Sequence, residues 1–365
     1  MRKPDPDRQQ WFDEKQHRSN LRLARSAGKA KNARLRSALA STRRPRIVVI
    51  SVPSQISADR DEDRRPLLRV LTSVISALAL PGTKVKLDFS RTVRMFPGGM
   101  LLLLAYLELL IEEKPGRIVA KCAPGTLIGQ LLRHFGIADK LGIPAAGSAP
   151  RAESVVTWKY LTGAVADGAK IAELINSYRS LTAAEIPEGL YDVLTEALTN
   201  VRHHAYPATA SVPEPLRRWW LFARYVEPRG ATPGNLFIGV YDVGVGIQNS
   251  LRARLSAGEK ALEFATWIEE QLGVEVGTGK ALDRKLLETA IEGARSSTGL
   301  AFRGNGLPEM RDFVQSTKSG KLLILSGGSQ YVCLAESGRS ATYTCSEPIL
   351  GTLIVWSMPL QPKGV

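Results

Sequence analysis

The chain has 365 residues, with 49 Lys and Arg against 35 Asp and Glu, a net charge of +14, and 44% hydrophobic and 23% charged residues. That is the balance of a soluble globular protein long enough for two or three domains, each able to bury a core. No apolar run reaches the roughly 18 residues of a membrane span, and the basic N-terminus lacks an apolar signal core, so neither a membrane protein nor a secreted one is expected.

Residues 1–46 carry 14 Lys and Arg against 4 Asp and Glu, which places +10 of the net charge there. Apolar residues are sparse, so 1–45 reads as a basic arm, partly helical or disordered. Three roles stay open for it: contact with a protein partner, contact with nucleic acid, or a solubilising tail. Cys122, Cys333 and Cys345 are odd in number and far apart. They suggest neither a disulfide framework nor a zinc site, and fit a reducing cytoplasm.

Residues 46–145 read as an α/β unit. A strand over 46–52 precedes a charged loop at 59–65 and a helix over 66–79. Residues 84–90 alternate at period two and predict a second strand. An apolar helix follows over 98–113, then a strand at 117–122 and a helix at 126–135. Strands alternating with helices imply a mainly parallel sheet. Residues 146–164 have linker composition, with a short strand at 158–161.

The richest chemistry lies in 165–361. Over 190–206, Leu190, Val193, Leu194, Ala197, Leu198 and Val201 recur at helical spacing. Glu196, Asn200 and His204 fall four apart, which on a helix stacks them in one row. A carboxylate that can polarise water, an amide oxygen that suits Mg²⁺ and a cationic donor together suit a nucleoside triphosphate. Next, 236–247 reads as a buried strand running into a glycine turn. Asp242 at its end can accept from an exocyclic amine, while Gly244 and Gly246 let backbone approach a flat ring. Arg303, Gly304 and Gly306 form a glycine turn opening a helix, whose N–H groups favour phosphate oxygens. Lys280 follows a Gly-Thr-Gly that fails the P-loop pattern, since Val274 and Ala281 stand where Gly and Ser or Thr are needed. It is a candidate contact for the terminal phosphate. A strand at 217–225, strands at 322–326 and 330–335, and a closing strand at 351–359 complete the pattern, with Ser and Gly between them read as turn residues.

Glu196-x-x-x-Asn200-x-x-x-His204-Ala, then Asp242-x-Gly244-x-Gly246-Ile, then Arg303-Gly304-x-Gly306-Leu, then Gly351-Thr352 resembles, in that order, the GHKL ATP-binding superfamily of histidine kinases, anti-sigma-factor serine kinases, gyrase, mismatch-repair ATPases and Hsp90. The wording around Glu196 is closest to the serine-kinase branch. The resemblance implies a Bergerat α/β sandwich over 165–361, with a mixed sheet backing the nucleotide and an ATP lid at 248–303. It implies ATP and Mg²⁺ as ligands, with Asn200 on the metal, Glu196 as the catalytic, water-orienting carboxylate and His204 near the phosphates. Asp242 would read the adenine amino group with Thr352 nearby, Gly244 and Gly246 would admit the ring, and Gly304 and Gly306 would hinge the lid.

The 46–145 unit resembles a STAS domain through 84–90, the glycine-led helix and 131–143. The family's phosphorylatable hydroxyl is replaced here by Phe96-Pro97-Gly98-Gly99, which implies an interaction surface without the phosphorylation switch. Together the resemblances imply a cytoplasmic Mg·ATP-dependent switch with slow hydrolysis that regulates a protein partner. A serine/threonine kinase of the anti-sigma type and a non-catalytic ATP sensor are the alternatives, and a homodimer is possible. No dimerising phosphoacceptor helix is visible, which disfavours a histidine autokinase.

Overall fold

The computed structural model describes residues 46–123, 125–145, 152–182, 184–207, 214, 217–255, 280–292 and 306–360. The basic arm 1–45, Arg303, Gly304 and most of the expected lid lie outside them. Within them the chain is mixed α/β, with a three-stranded parallel sheet and a separate seven-stranded antiparallel sheet. No helix among the described residues is long and apolar enough to cross a membrane.

The first part runs β1 (Arg46–Ser51), β2 (Gln55–Ile56), α1 (Asp61–Ala79), β3 (Thr83–Asp88), β4 (Arg94–Met95), α2 (Pro97–Glu113), β5 (Ile118–Lys121) and α3 (Leu127–His134). Its sheet has the order β1-β3-β5 with both pairs parallel. β3 alternates buried and half-buried residues, as its period-two pattern predicts.

One expectation here is corrected. Residues 59–65 do not form a charged loop, because α1 already starts at Asp61 and carries Pro66 inside it. Asp61, Glu62 and Asp63 occupy the first turn, where the helix dipole favours acidic side chains. That gain, and the hydrogen bonds of the buried Arg64, offset the hydrogen bond that Pro66 removes.

The larger sheet is built from β6 (Trp158–Gly163), β7 (Trp219–Val226), β8 (Asn235–Asp242), β9 (Lys321–Ser326), β10 (Ser329–Leu334), β11 (Arg339–Thr344) and β12 (Thr352–Pro359). Its order is β11-β10-β9-β12-β8-β7-β6. A mixed sheet was expected, yet every neighbouring pair is antiparallel. β8 and β9 do run parallel to each other, since both are antiparallel to β12. β12 slots between them, antiparallel to both, so the strand read as closing the sheet is central.

Both faces of this sheet are buried over β7, β8, β9 and β12, and alternation assigns residues to each. Leu236, Ile238 and Val240 join one core cluster with Ile354 and Trp356. Helices α5 (Gly168–Leu181), α6 (Leu190–Asn200) and α9 (Gly306–Ser316) supply that cluster's other side, after a short α4 (Glu153–Val156). Trp220, Phe222, Tyr241, Leu353 and Val355 point the opposite way and join the cluster of α1 and α2.

Helix α2 is buried almost all round, which explains why Met100–Leu107 is apolar without periodicity. Tyr106 stacks on Tyr241 with centroids 6.5 Å apart, and Trp220 donates its indole N–H to Glu108 at 2.8 Å. Its first turn is closely packed, since a Cβ on Gly99 would lie 2.6 Å from the Ser57 amide nitrogen. A hydroxyl-bearing side chain has no room at that position.

Candidate functional site

Three polar residues end adjacent strands on the face that α6 and α9 cover. Thr352 of β12 pairs in register with Asp242 of β8 on one side and Ser326 of β9 on the other. Asp242 and Ser326 follow their strands' inward apolar residues at period two and Thr352 precedes its own, so all three project to the same face. Trp219, opposite Asp242 on β7, closes the row. All are buried, Asp242 at 4% exposure and Thr352 at 7%.

Asp242 Oδ1 accepts from the Gly244 amide at 2.7 Å. Burial pushes its carboxyl up to about 7, while the Gly244 and Thr352 amides pull the other way. Nearby, Tyr206 donates to the Arg218 carbonyl at 2.7 Å and accepts from the Val243 amide at 3.3 Å. Burial, then the charge of Asp242, raises that phenol.

The glycine loop after β8 is held by two anchors. The Val245 amide donates to the Ala205 carbonyl at 2.8 Å. On the other side, the Ile247 amide donates to Ser326 Oγ at 2.8 Å, and Gln248 Nε2 donates to the Ser326 carbonyl at 2.8 Å. Gly246 sits at φ +79, which suits glycine. α7 (Ile247–Leu255) starts from this loop.

Gly244 has a role the sequence did not disclose. A Cβ there would lie 2.6 Å from the Ala205 Cβ and closer still to the Ala205 carbonyl oxygen. The glycine therefore admits the end of the neighbouring helix, whatever it does for a ligand. Gly244→Ala is expected to cost about 2–3 kcal/mol through overpacking against backbone, read as a lowered midpoint in thermal unfolding. An unchanged midpoint would mean that this loop moves freely.

The polar row expected on one helix is bent. The α-helix ends at Asn200, and Val201–Ala205 forms a π-helical turn. Wider π turns need more than four residues, so His204 does not stack directly under Asn200 and Glu196. All three are half-buried. The extra width brings the Ala205 carbonyl to the glycine loop.

Gly306 begins α9, and a Cβ on it would lie 2.7 Å from Glu196 Cδ. The structure thus places Glu196 against the start of α9, where backbone N–H groups and the helix dipole favour anions. Lys280 lies elsewhere in its contacts. It opens α8 (Lys280–Glu292), and its Nζ donates to the Ser346 carbonyl at 3.4 Å.

Sequence reasoning passed over Ser326, Gln248 and Tyr206. Ser326 was read only as the last residue of a strand, but its Oγ lies 3.3 Å from Thr352 Oγ1. The only local signal was a polar residue closing a four-residue apolar run.

Among the described residues, no cluster of three or more His, Cys, Asp or Glu could hold a metal ion. No protein-family model, curated protein or solved structure matches the chain.

Proposed function

We propose that the chain binds Mg·ATP between α6, the glycine loop and the start of α9, and acts as a nucleotide-dependent switch on a partner protein, with slow hydrolysis. One observation carries this reading: the buried row Ser326–Thr352–Asp242 ends beside a glycine loop and faces the helix that bears Glu196 and Asn200. A buried carboxyl met by the backbone amides of Gly244 and Thr352 suits an exocyclic amine. Trp219 and the apolar strand ends suit the flat ring.

The residues present fit the metal poorly on their own and well with phosphates. Without a carboxylate cluster, Mg²⁺ would rest on Asn200 and on substrate phosphate oxygens, the usual preference of that ion. When bound, it would neutralise phosphate charge. Glu196, beside the start of α9, lies where phosphates would be favoured and can orient a water there. Gly306 serves the reading by its size, letting the helix start and the Glu196 carboxylate meet.

The test follows the γ-phosphate. Purified protein with γ-labelled ATP and Mg²⁺ should release free phosphate, and Glu196→Ala should still bind nucleotide yet lose turnover. Full activity in that variant would place the water-orienting group elsewhere. Label transferred to an added protein would instead mark a serine/threonine kinase, the activity that the wording around Glu196 resembles. At ligand about 100-fold above Kd, binding should stabilise the fold by roughly 2.7 kcal/mol, and absence of any shift in melting would remove the nucleotide altogether.

A further inference from the structure

Parallel sheets are ordinarily covered on both faces. In the β1-β3-β5 sheet, Val85, Leu87 and Ile118 point inward to the core that α1 shares. The opposite face is open. Its register sets Ile47 beside Lys84, and Val49 beside Lys86, which pairs in turn with Val119. Ile47 is 58% exposed and Val49 60%. Val119, Lys84 and Lys86 are half-buried.

This face is net basic, because Asp88, which alternation places on it with Lys84 and Lys86, is matched by Lys121. Lys84 and Lys86 make no ion pair among the described residues, while Lys121 pairs with Asp88 at 3.1 Å. Beyond β3, the exposed Arg91, Val93 and Arg94 repeat the mixture of basic and apolar side chains. Apolar rows flanked by unpaired lysines ask for an occupant that is both apolar and acidic.

We propose that this face docks an acidic amphipathic helix of a partner protein, its apolar side on Ile47, Val49 and Val119 and its carboxylates on Lys84 and Lys86. Residues 1–45 are a poor occupant, because their 13 Lys and Arg against 4 Asp and Glu would meet like charge. A second copy would set the same lysines against each other. Nucleic acid would satisfy the lysines through its phosphates but give Ile47 and Val49 little to pack against. A helix laid across the rows serves both kinds of side chain at once.

The inference is independent of the nucleotide, and so is its test. Full-length protein, without ATP, is titrated into three labelled probes: an 18-residue Leu/Glu amphipathic helix, its Leu/Lys counterpart, and single-stranded DNA. The Leu/Glu peptide should bind, and Val49→Asp should weaken it at least tenfold with an unchanged melting curve, since Val49 is exposed. Lys84→Glu with Lys86→Glu should weaken that peptide equally and strengthen the Leu/Lys one. Leu/Glu binding that ignores Val49→Asp would mean that the basic arm alone attracts the peptide, which overturns the proposal. DNA binding lost in Val49→Asp would make the face a nucleic-acid reader, and no peptide binding at all would leave the face a solvated surface.

Discussion

Asp242→Asn is expected to abolish adenine-nucleotide binding and, at pH 8, to raise the stability of the nucleotide-free protein. The two effects share one cause. The carboxyl is almost wholly buried and rises from 3.8 to about 7 in the folded chain. The folded state therefore holds a proton that the unfolded state gives up at lower pH. Linkage makes stability fall as pH rises from about 4 to about 7, and the loss is complete above that window. Its full size is on the order of 4 kcal/mol. Asparagine keeps an acceptor oxygen for the Gly244 amide but has no charge to bury, so the pH-dependent loss should vanish. Urea unfolding of both proteins at pH 5 and pH 8 measures it. Equal pH dependence in the variant would assign the titration to another group. Nucleotide binding should disappear in the variant because the amide presents a donor where an exocyclic amine needs an acceptor. Unchanged affinity would move the adenine site away from Asp242. A residue that lowers stability in the empty protein and matters for ligand is what a binding site, rather than a core, would retain.

The sequence disclosed the parts of this site but not the way they meet. Asp242 was legible because it stands at the end of an apolar run, where a polar residue breaks a local pattern, while Thr352 was named only through the motif resemblance. Their adjacency was not legible, since β12 lies between β8 and β9 through long-range pairing that leaves no local trace. The strands of 319–360 were read as antiparallel, but that β8, β7 and β6 continue the same pattern was hidden for the same reason. Ser326 was missed because a serine closing a strand carries no local mark of the Thr352 hydroxyl it meets. The glycines were found by motif and explained by ligand access. In the structure, Gly244 meets Ala205 and Gly306 meets Glu196, and both contacts are non-local. The π turn at Val201–Ala205 follows a helical pattern in sequence, and it is the docking of Ala205 on the glycine loop that accompanies the change of pitch. In the first part, the β3 alternation and the apolar α2 were read from period and composition alone. The start of α1 was not, because a charged run with a proline looks like a loop until its arginine finds a buried site.

Arg64→Ala is expected to destabilise the protein by about 3–5 kcal/mol, the usual result of breaking one side of a buried charged network. Arg64 is 0% exposed. Its Nη1 donates to the Ala58 carbonyl at 2.9 Å and to Gln330 Oε1 at 3.1 Å. Its Nη2 donates to Asp61 at 2.9 Å and to Cys345 Sγ at 3.1 Å. One guanidinium thus ties α1 to β10 and to the turn after β11, across the join between the two sheets. Truncation leaves the Gln330 amide oxygen and the Ala58 carbonyl without their donor, and opens a space the size of the side chain. Lysine should rescue only part of the loss, because a single ammonium cannot reach four acceptors set for a planar fork. Denaturant unfolding compares the three proteins, and Arg64→Ala combined with Gln330→Ala should cost less than the two changes summed. A loss under about 1 kcal/mol would mean that water replaces the network readily. The network continues toward α8. Lys280, at the start of α8, contacts Ser346, whose own amide donates to Asp61 at 3.0 Å. If α8 moves with nucleotide, Arg64 and Asp61 are the groups on the first part that would feel it, and the same Arg64→Ala variant should then also weaken any effect of nucleotide on partner binding.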